Sequence, residues 1–260
     1  MGHTDHWSEA IRRSSSPPAL NENYEWDRFN PQAYYRHNYR DLRPDDREIL
    51  EITRDHFAAT TPAGPVTGID VGAGPNLYPA LSMLPFCSQI DLYEYSASNV
   101  EWLCSQVAQY DRSWDMFWGV LDDNPEYSRI TAPRQRLAEI GNVVHGNAFD
   151  LPEHKWGMGT MFFVAESLTE DMAEFRLAVS KFAKALSPGA PFAAAFMKDS
   201  DGYDVDGTRF PAVAINTSHV AQCFLDIGID VRTTEVTFEH PLREGYGGMF
   251  VATGRMSTVD

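Results

Sequence analysis

From residue 66 onward the chain alternates short apolar, β-branched runs with amphipathic stretches of helical length. The runs predict strands near 66–71, 89–94, 142–146, 159–165 and 190–197, and the stretches between them predict helices near 76–84, 97–110, 126–140 and 170–186. Such alternation implies right-handed crossovers and a mainly parallel sheet. The tail changes character. A helix over 217–227 is followed by V-R-T-T-E-V-T-F, a turn-rich E-H-P-L-R-E-G-Y-G-G and M-F-V-A-T-G-R, which predict an antiparallel pair. The fold class is therefore α/β, with a seven-stranded, mostly parallel sheet, helices on both faces and a C-terminal antiparallel hairpin. Ahead of this core, Pro31 opens a short helix through Q-A-Y-Y-R-H-N-Y, and Pro44 opens an amphipathic one to about Ala58. Residues 1–30 are polar and carry S-S-S-P-P, which predicts a flexible segment. Residues 31–60 are read as a helical lid and 61–260 as the core of a single domain.

Composition narrows the class of partner. At 260 residues and 43% hydrophobic content there is material for one large core. A formal net charge of −16 leaves little basic surface for phosphates, which argues against nucleic acid and anionic membranes and for a small-molecule partner. Apolar runs fall short of the roughly 18 residues of a membrane span, and the start M-G-H-T-D-H lacks a signal-peptide pattern, so a cytoplasmic location is expected. Cys87, Cys104 and Cys223 are odd in number and widely spaced, suggesting neither a disulfide framework nor a zinc motif; no metal is expected. Oligomeric state is not legible.

The chemistry concentrates after the first strand, in V-T-G-I-D-V-G-A-G-P-N-L-Y (66–78). A strand, a Gly-rich turn opening a helix, and an acid at the tip of the next strand, Glu94, form a site for a nucleoside with an attached chain. A dinucleotide fingerprint needs a third small residue three positions after the second glycine; here it is Leu77. It also gives no role to Asp70, whose carboxylate is placed to receive backbone N–H bonds or to act through water on an ammonium group. A methionine-derived sulfonium donor carries that ammonium, bare backbone at Gly72 and Gly74 permits its close approach, and Glu94 is placed to accept from both ribose hydroxyls. The competing reading is a tight strand-to-helix turn followed by a solvated strand end.

Four runs then carry a specific resemblance: A-Y-Y-R-H-N-Y at 33–39, I-D-V-G-A-G-P-N-L-Y at 69–78, Y-E-Y-S-A-S-N at 93–99 and L-S-P-G at 186–189. Together they resemble the nicotinamide, phenylethanolamine and indolethylamine N-methyltransferases, in order from about residue 28 to residue 255. The resemblance implies a Rossmann-like class I methyltransferase using S-adenosylmethionine and releasing S-adenosylhomocysteine. It places two closing tyrosines on Tyr34 and Tyr39. It sets the donor's amino-acid end against Gly72, Ala73, Gly74, Asn76 and Tyr78, and its ribose on Glu94. Tyr95, Val164 and a polar contact from Asn99 complete the site, with Asn147 and Ala148 where the family has an Asp-Val pair beside the adenine. An amide there can donate as well as accept.

Methyl transfer is an in-line displacement, and alignment in a dry site supplies about 7–11 kcal/mol. Aromatic walls suit it, because their faces attract a sulfonium at roughly 0.5–2 kcal/mol per contact. Tyr34, Tyr35 and Tyr39 lie in a segment poor in aliphatic residues, which suits a lid; the alternative is a helix packed by its tyrosines on the sheet edge. The fourth strand ends M-F-F-V-A-E-S-L-T, without the Asn/Asp-Pro-Pro-aromatic run of amide methyltransferases. Its Glu166 matches an acid that contacts substrate amine in the adrenaline-forming relatives, as a base or an anchor. The alternative is an acid resting on a helix dipole. The 198–215 stretch is read as a mobile substrate loop with Tyr203 and Phe210 as walls; its acidic run lacks the flanking helices and glutamate of a calcium loop. His145 and the aromatic run 113–120 are read as structural. The leading function is methylation of a small amine or aromatic nitrogen. The alternatives are carbon methylation of an electron-rich ring such as indole C3 in specialised metabolism, and a fold that binds ligand without turnover.

Overall fold

The computed structural model describes residues 19–60, 63–225, 227–236 and 245–258. Of the features expected from sequence, residues 1–18 of the N-terminal segment, part of the final helix's last turn and most of the turn between the last two strands lie outside the described residues.

The strands are β1 (Val66–Val71), β2 (Cys87–Glu94), β3 (Gly141–His145), β4 (Met158–Phe162), β5 (Pro191–Met197), β6 (Tyr203–Val205), β7 (Thr208–Phe210), β8 (Gly228–Glu235) and β9 (Met249–Met256). The helices are α1 (Pro31–Asn38), α2 (Pro44–Ala59), α3 (Tyr78–Met83), α4 (Ala97–Ala108), α5 (Trp114–Asp122), α6 (Pro125–Ser128), α7 (Pro133–Ile140), α8 (Met172–Ala185) and α9 (Thr217–Phe224). The main sheet has seven strands in the order β3-β2-β1-β4-β5-β9-β8. β1 pairs in parallel with both β2 and β4, and β9 runs antiparallel to β5 and β8. The chain reverses its direction of travel across the sheet between β3 and β4. That opens a crevice at the carboxyl ends of β1 and β4, where a parallel α/β sheet binds ligands.

Alternation along β5 shows how the core is divided. Ala193 and Ala195 join one apolar cluster with Ile49, Leu50 and Phe57 of α2, while Phe192, Ala194 and Phe196 join the opposite cluster with Phe175 and Phe182 of α8. Successive side chains point to opposite faces, so a fully buried strand reads as a continuous apolar run.

Three stretches differ from expectation. The helix expected over 126–140 is two helices, because Pro133 has no N–H to continue the first and restricts Ala132, which sits at φ −135° and ψ 67°. The aromatic run 113–120 is packing, as expected, but it does so as the helix α5. The 198–215 stretch holds the hairpin β6–β7, closed by Asp206 and Gly207 at φ 49° and 78°. Two consecutive positive φ values in an Asp-Gly pair suit the right-handed twist of the flanking strands.

The last part of the segment expected to be flexible is also ordered by specific contacts. Asn21 N–H donates to Glu174 (2.8 Å), Ala97 N–H to Asp27 (2.8 Å) and the Ser98 hydroxyl to the Phe29 carbonyl (2.8 Å). Trp26 stacks on Phe210 with centroids 5.4 Å apart, and Phe29 lies 5.1 Å from the same ring. The hairpin thus pins residues 19–30 over the crevice.

Candidate active site

The crevice is a cavity of about 840 Å³, the solvent at its mouth included, with a second cleft of about 590 Å³ beside it. Its floor is the turn after β1. Gly72 and Gly74 take φ values of 64° and 50°, a region glycine enters freely and other residues rarely. At Gly72 there is no room for anything else: a Cβ there would lie 2.5 Å from Val164 Cγ1. Gly72 and Ala73 N–H both donate to the Tyr93 carbonyl, at 2.8 and 3.1 Å, which ties the turn to the end of β2.

Glu94, at that end, is buried and accepts three backbone N–H bonds of 2.8 Å, from Gly74, Tyr95 and Ser96. Burial raises its pKa, and the hydrogen bonds, with one from the Asn99 side chain, pull the other way. The carboxylate therefore fastens the β1 turn to the start of α4. A carboxylate has about four acceptor positions, so ribose hydroxyls would share or displace bonds already made.

Asp70 is 1% exposed. Oδ1 accepts the Thr160 hydroxyl at 2.8 Å, while Oδ2 is buried with no partner. Among the described residues no backbone N–H reaches it, contrary to one of the two expectations. Burial chiefly, and the neighbouring Glu94 charge, push its pKa up to about 8 against the Thr160 bond. Asp46, at the start of α2, is likewise raised to about 8, by burial first and Asp45 second. The folded chain thus holds protons on both carboxyls that the unfolded chain has released. That stabilisation is complete below about pH 4 and is lost as pH rises through about 8. The melting temperature of the ligand-free protein is expected to fall between about pH 5.5 and 8.5, and Asp70→Asn to flatten part of the fall; an identical slope in the two proteins would refute the Asp70 assignment.

Of the residues expected at the donor site, Tyr34, Tyr39, Gly72, Ala73, Gly74, Asn76, Glu94, Tyr95, Asn99, Asn147, Ala148 and Val164 all line the cavity, and Tyr203 does so from the hairpin. Asn76 Nδ2 and Asn99 Oδ1 are buried without partners, whereas the Asn147 side chain already accepts the Phe149 N–H at 2.9 Å. Tyr34 and Tyr39 meet with centroids 5.9 Å apart, and Tyr34 meets Tyr203 edge-on at 6.2 Å.

Five expected residues line neither cavity: Asp70, buried at the end of β1, and four others. Tyr35 turns away from the cavity, between Trp102 and Trp114, with its hydroxyl on that of Ser113. Tyr78 is fully buried, stacked on Phe117, and its hydroxyl donates to Asp46 at 3.2 Å. Phe210 is behind the wall, supporting Tyr203 and Trp26. Glu166 is fully buried and lines neither cavity: Oε1 accepts the Met197 N–H at 2.8 Å and its carbonyl accepts the Val213 N–H at 2.9 Å. It bridges the turn after β4 to the end of β5.

Other lining residues were not read from the sequence. Asn21, Trp26 and Phe29 come from the N-terminal segment, and Phe163 and Ser167 from the turn after β4. Phe163 holds φ 60°, strained for a bulky side chain, with its N–H donating to Ala195 at 2.7 Å. His145 is structural as expected, one ring nitrogen meeting the Tyr95 carbonyl at 2.8 Å. Among the described residues no group of acids, histidines and cysteines has the makings of a metal site, and no helix is long and apolar enough to cross a membrane.

Comparison with known proteins agrees with this geometry. The model of the NNMT/PNMT/TEMT family matches residues 18–253, nearly the whole chain. The chain belongs to that family. It is accordingly a methyltransferase that takes its methyl group from S-adenosylmethionine. Phenylethanolamine N-methyltransferase of Macaca mulatta is 24% identical over 230 residues, covering 80% of each chain. Among solved structures, the 1,6-didemethyltoxoflavin-N1-methyltransferase of Burkholderia thailandensis superposes with a TM-score of 0.52 at 15% identity, covering 94% of this chain and 93% of that one. A methyltransferase of Methanosarcina mazei gives 0.52 at 12% identity, covering 85% and 100%. These likenesses show the fold.

The site fits the donor on its own terms. Asn76 Nδ2 and Asn99 Oδ1 line the cavity with no hydrogen-bond partner among the described residues, and the turn at Gly72 admits only bare backbone. The aromatic faces of Tyr34, Tyr39, Phe162 and Phe163 suit a sulfonium, while Asp70, buried behind the lining, could act on an ammonium only through an intervening group.

Proposed function

We propose that this methyltransferase acts in the cytoplasm on a small aromatic molecule that bears a nitrogen, and that nitrogen receives the methyl group. The observation that carries this reading is the second cleft. It shares Tyr34, Tyr39, Phe163, Ser167 and Tyr203 with the donor cavity and adds the carboxyl of Asp46. A flat ring suits four aromatic walls, and an electron-poor N–H group or ammonium suits a carboxyl among them.

In this reading the β1 turn and Asn76 hold the donor's amino-acid end, Asp70 acts on its ammonium through an intervening group, and Glu94 and Asn99 take its ribose. Bound there, S-adenosylmethionine supplies an electrophilic methyl carbon. The chain's contribution is alignment and dryness: Tyr34 and Tyr39 close over the reacting centre, and Phe163, fixed in its strained backbone, sets the wall between donor and acceptor. The net charge of −16 supports small-molecule over nucleic-acid acceptors.

Incubation with isotopically labelled methyl donor and a panel of arylalkylamines, pyridines and indoles, followed by mass spectrometry and NMR, is expected to place the label on nitrogen. A methyl group found on ring carbon would overturn the nitrogen assignment, and label transfer to none of the panel would overturn the acceptor class.

A further inference from the structure

The second cleft contains a buried acid that the donor chemistry does not use. Asp46 is 3% exposed, lines the cleft, and receives the Tyr78 hydroxyl on Oδ1 at 3.2 Å. Its position follows from the chain: Pro44 opens α2, and acids in a first helical turn are favoured by the dipole. Unlike a solvated helix-start acid, it is walled in. Tyr39 from the end of α1 and Tyr78 from α3 pack at its side, their rings 5.9 Å apart. Resting on the nitrogen-methylation reading above, we propose that Asp46 is a further catalytic residue: its carboxylate holds the acceptor's ammonium in the second cleft and takes the proton that nitrogen must lose before it is methylated.

The step balances. One N–H bond of the ammonium breaks and its proton passes to the Asp46 carboxylate, leaving a neutral amine with a lone pair. The lone pair forms the N–C bond as the methyl carbon's bond to sulfur breaks, and that electron pair stays on the sulfur. The methylated ammonium leaves with its positive charge, and Asp46 returns its proton to solvent when the cleft opens.

The groups around Asp46 suit this role. Asp45, one residue earlier in α2, is paired with Arg43 at 3.2 Å, so that cation is already engaged. His37 of α1 and Asp204 of β6 face the same cleft, but Asp204 is exposed and bound to Arg209 at 3.0 Å. Asp46 is thus the enclosed acid of the cleft. Burial with the Asp45 charge raises its pKa to about 8, so in the empty cleft it is largely protonated at neutrality. It is the proton-accepting carboxylate above about pH 8, or once an ammonium beside it has displaced its proton to solvent.

The test uses the full chain saturated with S-adenosylhomocysteine and titrates two probes of one shape, 2-phenylethylamine and 2-phenylethanol, by calorimetry at about pH 8.5, above the Asp46 pKa. The amine is expected to bind at least about tenfold tighter than the alcohol, roughly one factor of ten in Kd. Asp46→Asn is expected to abolish that preference with alcohol and S-adenosylhomocysteine affinity unchanged, Asp46→Glu to restore part of it, and Asp204→Asn to keep it. A preference that survives Asp46→Asn, or disappears in Asp204→Asn, overturns the proposal. Should Asp46→Asn not fold, the wild-type preference must still fade as pH drops below about 8; a flat profile, or no preference at pH 8.5, also overturns it. A wild-type protein that fails to bind S-adenosylhomocysteine would instead refute the methyl-transfer reading itself.

Discussion

Gly72→Val is expected to weaken S-adenosylhomocysteine binding at least about 100-fold, roughly 2.7 kcal/mol, and to lower the melting temperature of the free protein. Two costs combine. A side chain at φ 64° costs roughly 1–2 kcal/mol. Its Cβ would then meet Val164 at 2.5 Å, and Val164 cannot retreat easily, because the preceding Phe163 is itself held at φ 60° and both belong to the cavity wall. Gly74 is the control. It too has positive φ, but a Cβ there meets nothing nearer than 3.7 Å, so Gly74→Ala is expected to show the backbone cost alone. Calorimetric titration with thermal melts separates the two positions. Equal effects at both would mean that the closeness of Val164 is irrelevant.

Glu94→Ala should destabilise the fold as well as the site. Three N–H groups lose their acceptor at once, and one of them, Gly74, belongs to the donor turn. Bonds to a charged acceptor contribute about 1.5–3 kcal/mol each and are not additive where solvent can enter, so a loss of about 3 kcal/mol is expected in denaturant titration. Glu94→Gln keeps one acceptor oxygen and turns its amide toward a backbone donor. It should recover roughly half the stability yet still bind S-adenosylhomocysteine at least about tenfold more weakly. If Glu94→Gln bound normally, Glu94 would be a structural fastener of the turn and nothing more.

The donor half of the site was legible because it is local. One turn, one strand tip and a few residues after it are close in sequence, and glycine with an acid in that spacing has few other uses. The acceptor half was not, because it is assembled from distant pieces. Tyr203 and Asp204 come to it from the β6–β7 hairpin. The same hairpin, with Tyr24, Tyr34 and Leu168, holds Trp26 and Phe29, from a segment whose S-S-S-P-P composition suggests looseness, at the adjoining donor cavity. That hairpin had a readable signal in Asp206-Gly207, flanked by Val205 and Thr208. So did α5, whose Trp114, Phe117, Trp118 and Leu121 recur at helical spacing.

The misplaced residues share a cause. Tyr34 and Tyr35 are neighbours on a helix, and neighbours point in different directions, so one faces the cavity and the other the core. Resemblance by position does not see such rotations. Tyr78 and Glu166 likewise hold matching places in the chain, yet one hydroxyl is committed to Asp46 and one carboxylate to the Met197 N–H. Asp46 stands where acids commonly start a helix, and its place in a cleft comes from α1, α3 and the hairpin, all distant in the chain from it or folded back upon it.

In the proposed function the crevice after β1 holds the methyl donor, with its floor at Gly72 and its acid at Glu94. Calorimetric titration of the full chain with S-adenosylhomocysteine tests it most directly. Saturable binding of one molecule per chain, lost in Gly72→Val and retained in Gly74→Ala, is the predicted result. No binding to the wild-type protein, or binding that Gly72→Val leaves unchanged, would contradict it.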